Sequence, residues 1–381
     1  MNYKLERSED TSPSLNGGMK PHFVIVNQNI SSNALGRALS MALVAKELGE
    51  TTLISFGRGK IWPGVSQFDT PVLRVSRNWR KDLDRVLLGH RGHSSVVWLS
   101  KGLDPLSKVA SYVRRRYPDT TVILDLDDDD AALAIAFRKS SMTNHLKLSW
   151  FRRGNPWRIR KSQDAIASVA DSFTFSTHAL ATRYPNSYVP YARVPHVRVP
   201  ASVKARQSRL KDGNLHFGCF GTLRPHKGSQ LLLDIMRADR DLTLVTFRNC
   251  GLGVPLSTDC NWLEIDPATP LDRAYANIDV AVIPITDSNA GAQYQLPAKI
   301  VDAMRARVPI VATPTPAIEE IAGDAISPLR HDQTYGEIIG LIRKAAMSNL
   351  SHSSGNRFME VLTPQAAAVE LENLLGRKDC S

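Results

Sequence analysis

The chain has 381 residues, is 43% hydrophobic and 22% charged, and carries a formal net charge of +11. That length predicts two domains, each large enough for its own core, and the composition excludes a disordered or fibrous chain. No run of about eighteen apolar residues occurs, which argues against a membrane-spanning helix. The four cysteines (Cys219, Cys250, Cys260, Cys380) show no metal-ligand spacing and point to a reducing, cytosolic compartment.

Residues 1–20 are polar, lack an apolar signal core and read as a disordered tail. His22 to Asn27 is an apolar run and a first strand. Ser31-Ser32-Asn33 then offers N-cap groups to a helix carrying Leu35, Leu39, Ala42, Leu43 and Leu48, closed by Gly49. Further strands are predicted at Thr52–Phe56, Pro71–Val75, Ser95–Ser100, Thr121–Leu126 and Ser172–Ser176. Residues 195–214 read as a linker region, with the boundary itself at 201–213. A second strand–helix series starts at Leu215 and continues at Leu242–Phe247, Asp279–Pro284 and Pro309–Ala312. Alternation of this kind means parallel sheets with helices on both faces. The expected division is 21–200 for the first domain, 214–362 for the second, and a C-terminal helix within 363–381 crossing back to the first. Ligands in such sheets bind beyond the carboxyl ends of the strands, so both domains would face a central cleft.

The basic excess is clustered in the first half, at Arg77–Lys81, Arg85, His90-Arg91, Arg114–Arg116 and Trp150–Lys161. Such charge implies an anionic partner. The mixing of tryptophan with arginine across Trp150–Lys161 suits a lipid headgroup layer, with a solvated basic face as the plainer reading. No recognisable nucleic-acid module accompanies the charge.

Two stretches carry the chemistry. Strand Leu215–Phe220 runs into Gly221-Thr222-Leu223-Arg224-Pro225-His226-Lys227-Gly228 and then an apolar helix. A glycine-bearing loop between strand and helix lets backbone amides approach an anion, and Arg224 and Lys227 add cations. The second stretch, Tyr294 to Thr313, reads as loop, helix and buried strand. Pro297 is expected at the first helical position, and Lys299 falls in a first turn whose orphan amides already favour a phosphate. Two such loops would grip a diphosphate.

Together these stretches resemble the C-terminal half of retaining glycosyltransferases of family 4, which have the GT-B fold of two doubly wound Rossmann-like domains. Gly221, Lys227 and Gly228 match that family's pyrophosphate loop, with Thr222 where the family has arginine. Asp302-Ala303-Met304 and Pro309–Ala312 match the second half of its two-glutamate motif, so Asp302 stands for the second glutamate and Tyr294 for the first. Pro297-Ala298-Lys299 matches a subset whose lysine meets the donor phosphates. The resemblance implies an enzyme that moves a hexosyl group from a nucleoside-diphosphate sugar, UDP- rather than GDP-linked, to a hydroxyl acceptor. A lipid-linked or cell-envelope glycan precursor is the expected acceptor, handled in the cytoplasm or at the inner membrane face, with no cofactor and no metal. Lys227, Lys299 and Arg224 would stabilise the leaving diphosphate. Gly221, Thr222, Gly228, Asn289, Gly291, Tyr294, Gln295, Ala298 and Asp302 would hold the donor.

On the acceptor side stand Asn33, Lys101, Asp127 and His178. Asn33 has a plain N-cap as its alternative, and Lys101 a βα turn through Gly102 and Asp104-Pro105. Asp127 lies in the run Asp125–Asp130, which can meet an acceptor, bind magnesium or cap the next helix. His178 is a possible match to a family histidine near the donor sugar. The departures at Thr222 and Tyr294 keep open a non-catalytic protein of this fold that binds a nucleotide sugar or glycan.

Overall fold

The computed structural model describes residues 20–75, 77–90, 94–139, 154–184, 189–201, 214–223, 227–252, 261–286 and 291–376. Arg224, Asn289, Trp150 to Arg153, Cys260, Cys380, residues 1–19 of the tail and 202–213 of the linker lie outside them.

In the first domain, strands β1 (His22–Asn27), β2 (Glu50–Ser55), β3 (Val72–Arg74), β4 (Ser95–Ser100), β5 (Thr121–Leu126), β6 (Ser172–Phe175) and β7 (Tyr191–Arg193) form one parallel sheet in the order β3-β2-β1-β4-β5-β6-β7. The helices are α1 (Ala34–Leu48), α2 (Trp79–Leu88), α3 (Leu106–Arg116), α4 (Asp130–Lys139), α5 (Pro156–Ala167) and α6 (His178–Ala181). Because side chains alternate along a strand, the buried runs supply both faces. Phe23 and Ile25 join Trp98 and Ile123 in a core under α1. Val24 and Val26 join Val97, Leu99 and Val122 in a core under α2 and α3.

In the second domain, β8 (Leu215–Gly218), β9 (Leu242–Phe247), β10 (Trp262–Ile265), β11 (Val280–Ile283), β12 (Ile310–Ala312) and β13 (Ser327–Pro328) form a second parallel sheet in the order β10-β9-β8-β11-β12-β13. Its helices are α7 (Ser229–Ala238), α8 (Leu271–Tyr275), α9 (Ala298–Arg305), α10 (Pro316–Ala322), α11 (Tyr335–Met347) and α12 (Leu350–Val361). The apolar faces of α9 and α10 cover one side, and those of α7 and α11 the other. The chain ends in α13 (Pro364–Gly376), whose Ala367, Ala368, Leu371 and Leu374 enter the first domain's core beside α1.

Two expectations are corrected. Residues 195–201 are not a loose connector. Val194 and Val197 are buried in the first core, Arg37 donates to the carbonyls of Val194 (2.7 Å) and Pro195 (3.0 Å), and Arg198 N–H bonds Leu362 O. A proline- and arginine-rich composition hid this order because the backbone partners come from distant elements. Pro297 holds the N-cap of α9 rather than its first helical position, with extended ψ of 128°, and its carbonyl accepts from Ile300 N–H. The short strands β7, β10 and β13 carried no periodic signal long enough to read.

Candidate functional site

The carboxyl end of β8 is built to bring backbone close to a side chain from α9. Gly221 has φ of 101° and Gly228 φ of 64°, conformations that L side chains rarely adopt. A Cβ on Gly228 would lie 2.4 Å from the Pro284 ring, so this glycine is also required by contact with the end of β11. Gly221 sits against Lys299, whose Cε lies 3.4 Å from where its Cβ would be. Lys299 Nζ donates to Cys219 Sγ at 3.2 Å, and its carbonyl accepts from Tyr275 Oη at 3.1 Å. A thiol is a weak acceptor, so the ammonium keeps most of its donor capacity for an anion. Gly221 and Thr222 are exposed, Leu223 is buried and tied to Cys250 O, and Lys227-Gly228 leads into α7. The structure therefore brings together Gly221, Lys299 and the start of α9 at Ala298. It places Gly228, and Lys227 before it in the chain, at the other end of the same loop, where Gly228 meets Pro284 just past β11.

The first domain's strand ends are arranged differently. Asp125 is fully buried and held by Arg37 through two bonds of 2.9 and 2.5 Å, with Thr174 Oγ1 at 2.8 Å. Lys101, in left-handed backbone at φ 67°, reaches Asp127 (2.5 Å), Asp128 (2.8 Å) and Asp130 (3.5 Å). Burial alone would lower the lysine's pKa, but Asp127, Asp128 and Asp130 outweigh it and hold it well above the ordinary value. Burial pushes the Asp130 carboxyl up to about 7 against the pull of Lys101. Asp129 accepts from Ala132 N–H at 3.0 Å, capping α4, and pairs with Arg183 at 3.4 Å. His196 Nε2 lies 3.6 Å from Asp127, and burial, with Arg37 and Arg198, holds the imidazole neutral. Lys101 thus holds carboxylates of its own chain, in the turn that Gly102 completes. Among the described residues no group of three or more His, Cys, Asp or Glu is disposed to hold a metal ion.

Apart from Asn33, the remaining described candidates lie where the domains meet. Gln295 Nε2 donates to Asp128 Oδ1 at 2.9 Å. Gly291 packs so tightly on α4 that a Cβ would stand 2.9 Å from Leu133 N. The Arg183 guanidinium lies 5.2 Å from the Tyr294 ring centre. Asp302 is largely buried and forms an ion pair of 2.9 Å with Arg198, while burial raises its carboxyl pKa. Both Glu320 oxygens accept from the first domain, at His178 N (2.9 Å) and Ala179 N (2.8 Å). The His178 ring packs edge-on against Tyr191 at 5.9 Å. Asn33 is exposed before α1 and makes no side-chain cap bond. Sequence reading did not single out Arg37, Arg183, His196, Arg198 or Glu320. Only the density of unpaired acid at Asp125–Asp130 signalled that buried cations must answer it.

The architecture is the GT-B fold. Residues 214–333 match the family described as Glycosyl transferases group 1. A search of curated proteins finds no match. Among solved structures, Anabaena Alr3699/HepE in complex with UDP-glucose superposes with a TM-score of 0.62 at 12% identity, covering 93% of this chain and 99% of that one. The same Anabaena protein with UDP and glucose gives 0.60 at 14% identity and the same coverage. The N-terminal domain of Candida albicans trehalose-6-phosphate phosphatase gives 0.53 at 11% identity, covering 95% and 98%.

Proposed function

We propose that the chain is a retaining glycosyltransferase of the family 4 type that moves a hexosyl group from a UDP-sugar to a hydroxyl acceptor. The observation that carries this reading is Lys299, laid along Gly221 at the start of α9 with the Cys219 sulfur beneath its ammonium. As the glycosidic bond breaks, charge grows on the leaving diphosphate. Lys299, the orphan amides of α9 and the amides of the Gly221–Gly228 loop meet that charge, with Lys227 and Arg224 as further cations. In this reading Thr222 and the loop that carries Gly291, Tyr294 and Gln295 lie toward the donor, because such folds bind nucleotides beyond their strand ends. The match of residues 214–333 and the UDP-glucose named for the Anabaena neighbour support the donor class. The acceptor in this reading is a lipid-linked or cell-envelope glycan precursor. Trp157, 48% exposed at the head of α5 with Lys161 Nζ 4.9 Å from its ring, is the described part of a surface that would rest on an anionic membrane from the cytoplasmic side.

Thermal shift against UDP, GDP and their hexose conjugates, followed by transfer assays with the stabilising donor, tests the proposal. A ligand at one hundred times its Kd stabilises the folded state by about 2.7 kcal/mol. Stabilisation by none of these nucleotides would refute it. A second reading, donor binding without transfer, draws support from Tyr294 and Asp302, which stand at the family's two glutamate positions and here face Arg183 and Arg198. Saturable UDP-sugar binding with no turnover on any hydroxyl acceptor would select it.

A further inference from the structure

The loop that leads into α9 is docked on the other domain, at and beside its acidic run, by three residues. Gly291 lies on the backbone of Leu133, Tyr294 under Arg183, and Gln295 on Asp128. The Asp128 carboxylate is shared. Oδ1 takes the Gln295 amide at 2.9 Å, and Oδ2 takes Lys101 Nζ at 2.8 Å. Lys101 is itself fixed, by Asp127 on its ammonium and by Gln163 Nε2 on its carbonyl at 3.3 Å. Asp128 is therefore an acceptor locked in place by the first domain's core and turned toward the second. Gln295 is two residues before Pro297, the N-cap of α9, and four before Lys299. A rotation of one domain against the other would break the Gln295 bond and carry the start of α9 with it.

We propose that Gln295 is a positioning residue. Its bond to Asp128 seats the α9 N-terminus and Lys299 in the closed cleft, so that domain closure and grip on the donor diphosphate are one event. The last step rests on the function proposed above, but the docking itself does not. The bond is directional: the amide must donate and the carboxylate must accept. Gln295→Glu sets two carboxylates against each other, whereas Gln295→Glu combined with Asp128→Asn reverses donor and acceptor and restores the bond. Lys101 keeps Asp127 and Asp130 in every variant.

The test combines hydrogen exchange of the amides in 130–133 and 291–300 with titration of UDP on the full chain. Gln295→Glu is expected to speed exchange in both segments together and to weaken UDP binding on the order of tenfold, the worth of one hydrogen bond to a charged partner. The reciprocal double variant is expected to recover both to within about threefold, a non-additivity only a direct pair produces. Gln295→Ala should fall between them. Unchanged exchange in Gln295→Glu, or a double variant no better than the single, would overturn the proposal. Restored exchange without UDP binding in any variant would leave the docking standing and overturn its link to the donor. That result would count against the transferase reading as well.

Discussion

At the carboxyl end of β5, Asp125, Asp127, Asp128 and Asp129 are matched by Arg37, Lys101 and Arg183 within their own domain. At the carboxyl end of β8, the chain turns through exposed Gly221 and Thr222, and the cation from α9 rests on a thiol. Both sheets are parallel and wound in the same manner, so the contrast is not one of architecture. A strand end whose carboxylates are held by cations of its own domain serves as a rigid floor, because buried ions must be paired. A strand end where glycine backbone lies beside an ammonium that rests on a thiol is suited to an anion. The first domain uses its polar groups to set geometry, and in the function proposed here the second offers them to the donor.

Substitutions on the two sides should therefore fail in different currencies. The largest effect is expected from Arg37→Ala, which leaves Asp125 buried and without its bidentate partner. Loss of one member of a buried pair costs about 3–5 kcal/mol, seen as a lower denaturant midpoint or as insoluble protein. Retention of wild-type stability would show that the floor is not held by this pair. Next is Lys299→Ala. It should reduce the turnover of sugar transfer by a factor on the order of 100 or more, as expected for a lost contact to developing charge, while the unfolding midpoint stays near wild type because the side chain is half-buried and, among the described residues, hydrogen-bonds only the Cys219 sulfur. A stability loss as large as that of Arg37→Ala would erase the contrast.

The smallest effect concerns pH. Asp130, pushed up to about 7 in the folded chain from an ordinary value of 3.8, binds its proton more tightly folded than unfolded. Stability from this group is therefore fully present below about pH 4, falls as pH rises from there to about 7, and is flat above. Asp130→Asn, which mimics the neutral acid, should be more stable than wild type at pH 8, with the gap narrowing as pH falls below 7 and closing only below about pH 4. Parallel pH–stability curves for the two proteins would refute the assignment.

The elements that positioned the site were legible where one period dominated. The apolar runs His22–Asn27 and Leu215–Phe220 and the helix after Pro297 announced themselves because burial on both faces demands continuous hydrophobicity. Glycines at 221 and 228 were legible as a loop, although the reason for the second, contact with Pro284, was not. The order in 195–201 escaped because its stabilising partners, Arg37, Ser40 and Leu362, lie far away in sequence. Tyr294, Gln295 and Asp302 could be placed near the strand ends by motif, yet their partners Arg183, Asp128 and Arg198 belong to the other domain.

Hydrophobic periodicity and turn residues alone determined that this chain makes two parallel α/β domains, that a lysine enters the first turn of a helix in the second, and that a strand of the first ends in concentrated acid. Only the tertiary structure decided which charges cancel. Pairing depends on distance in space, and Asp125 finds Arg37 from a separation of 88 residues while Gln295 finds Asp128 from 167. Local pattern reports what a residue can offer, and packing alone reports whether a neighbour has already taken it.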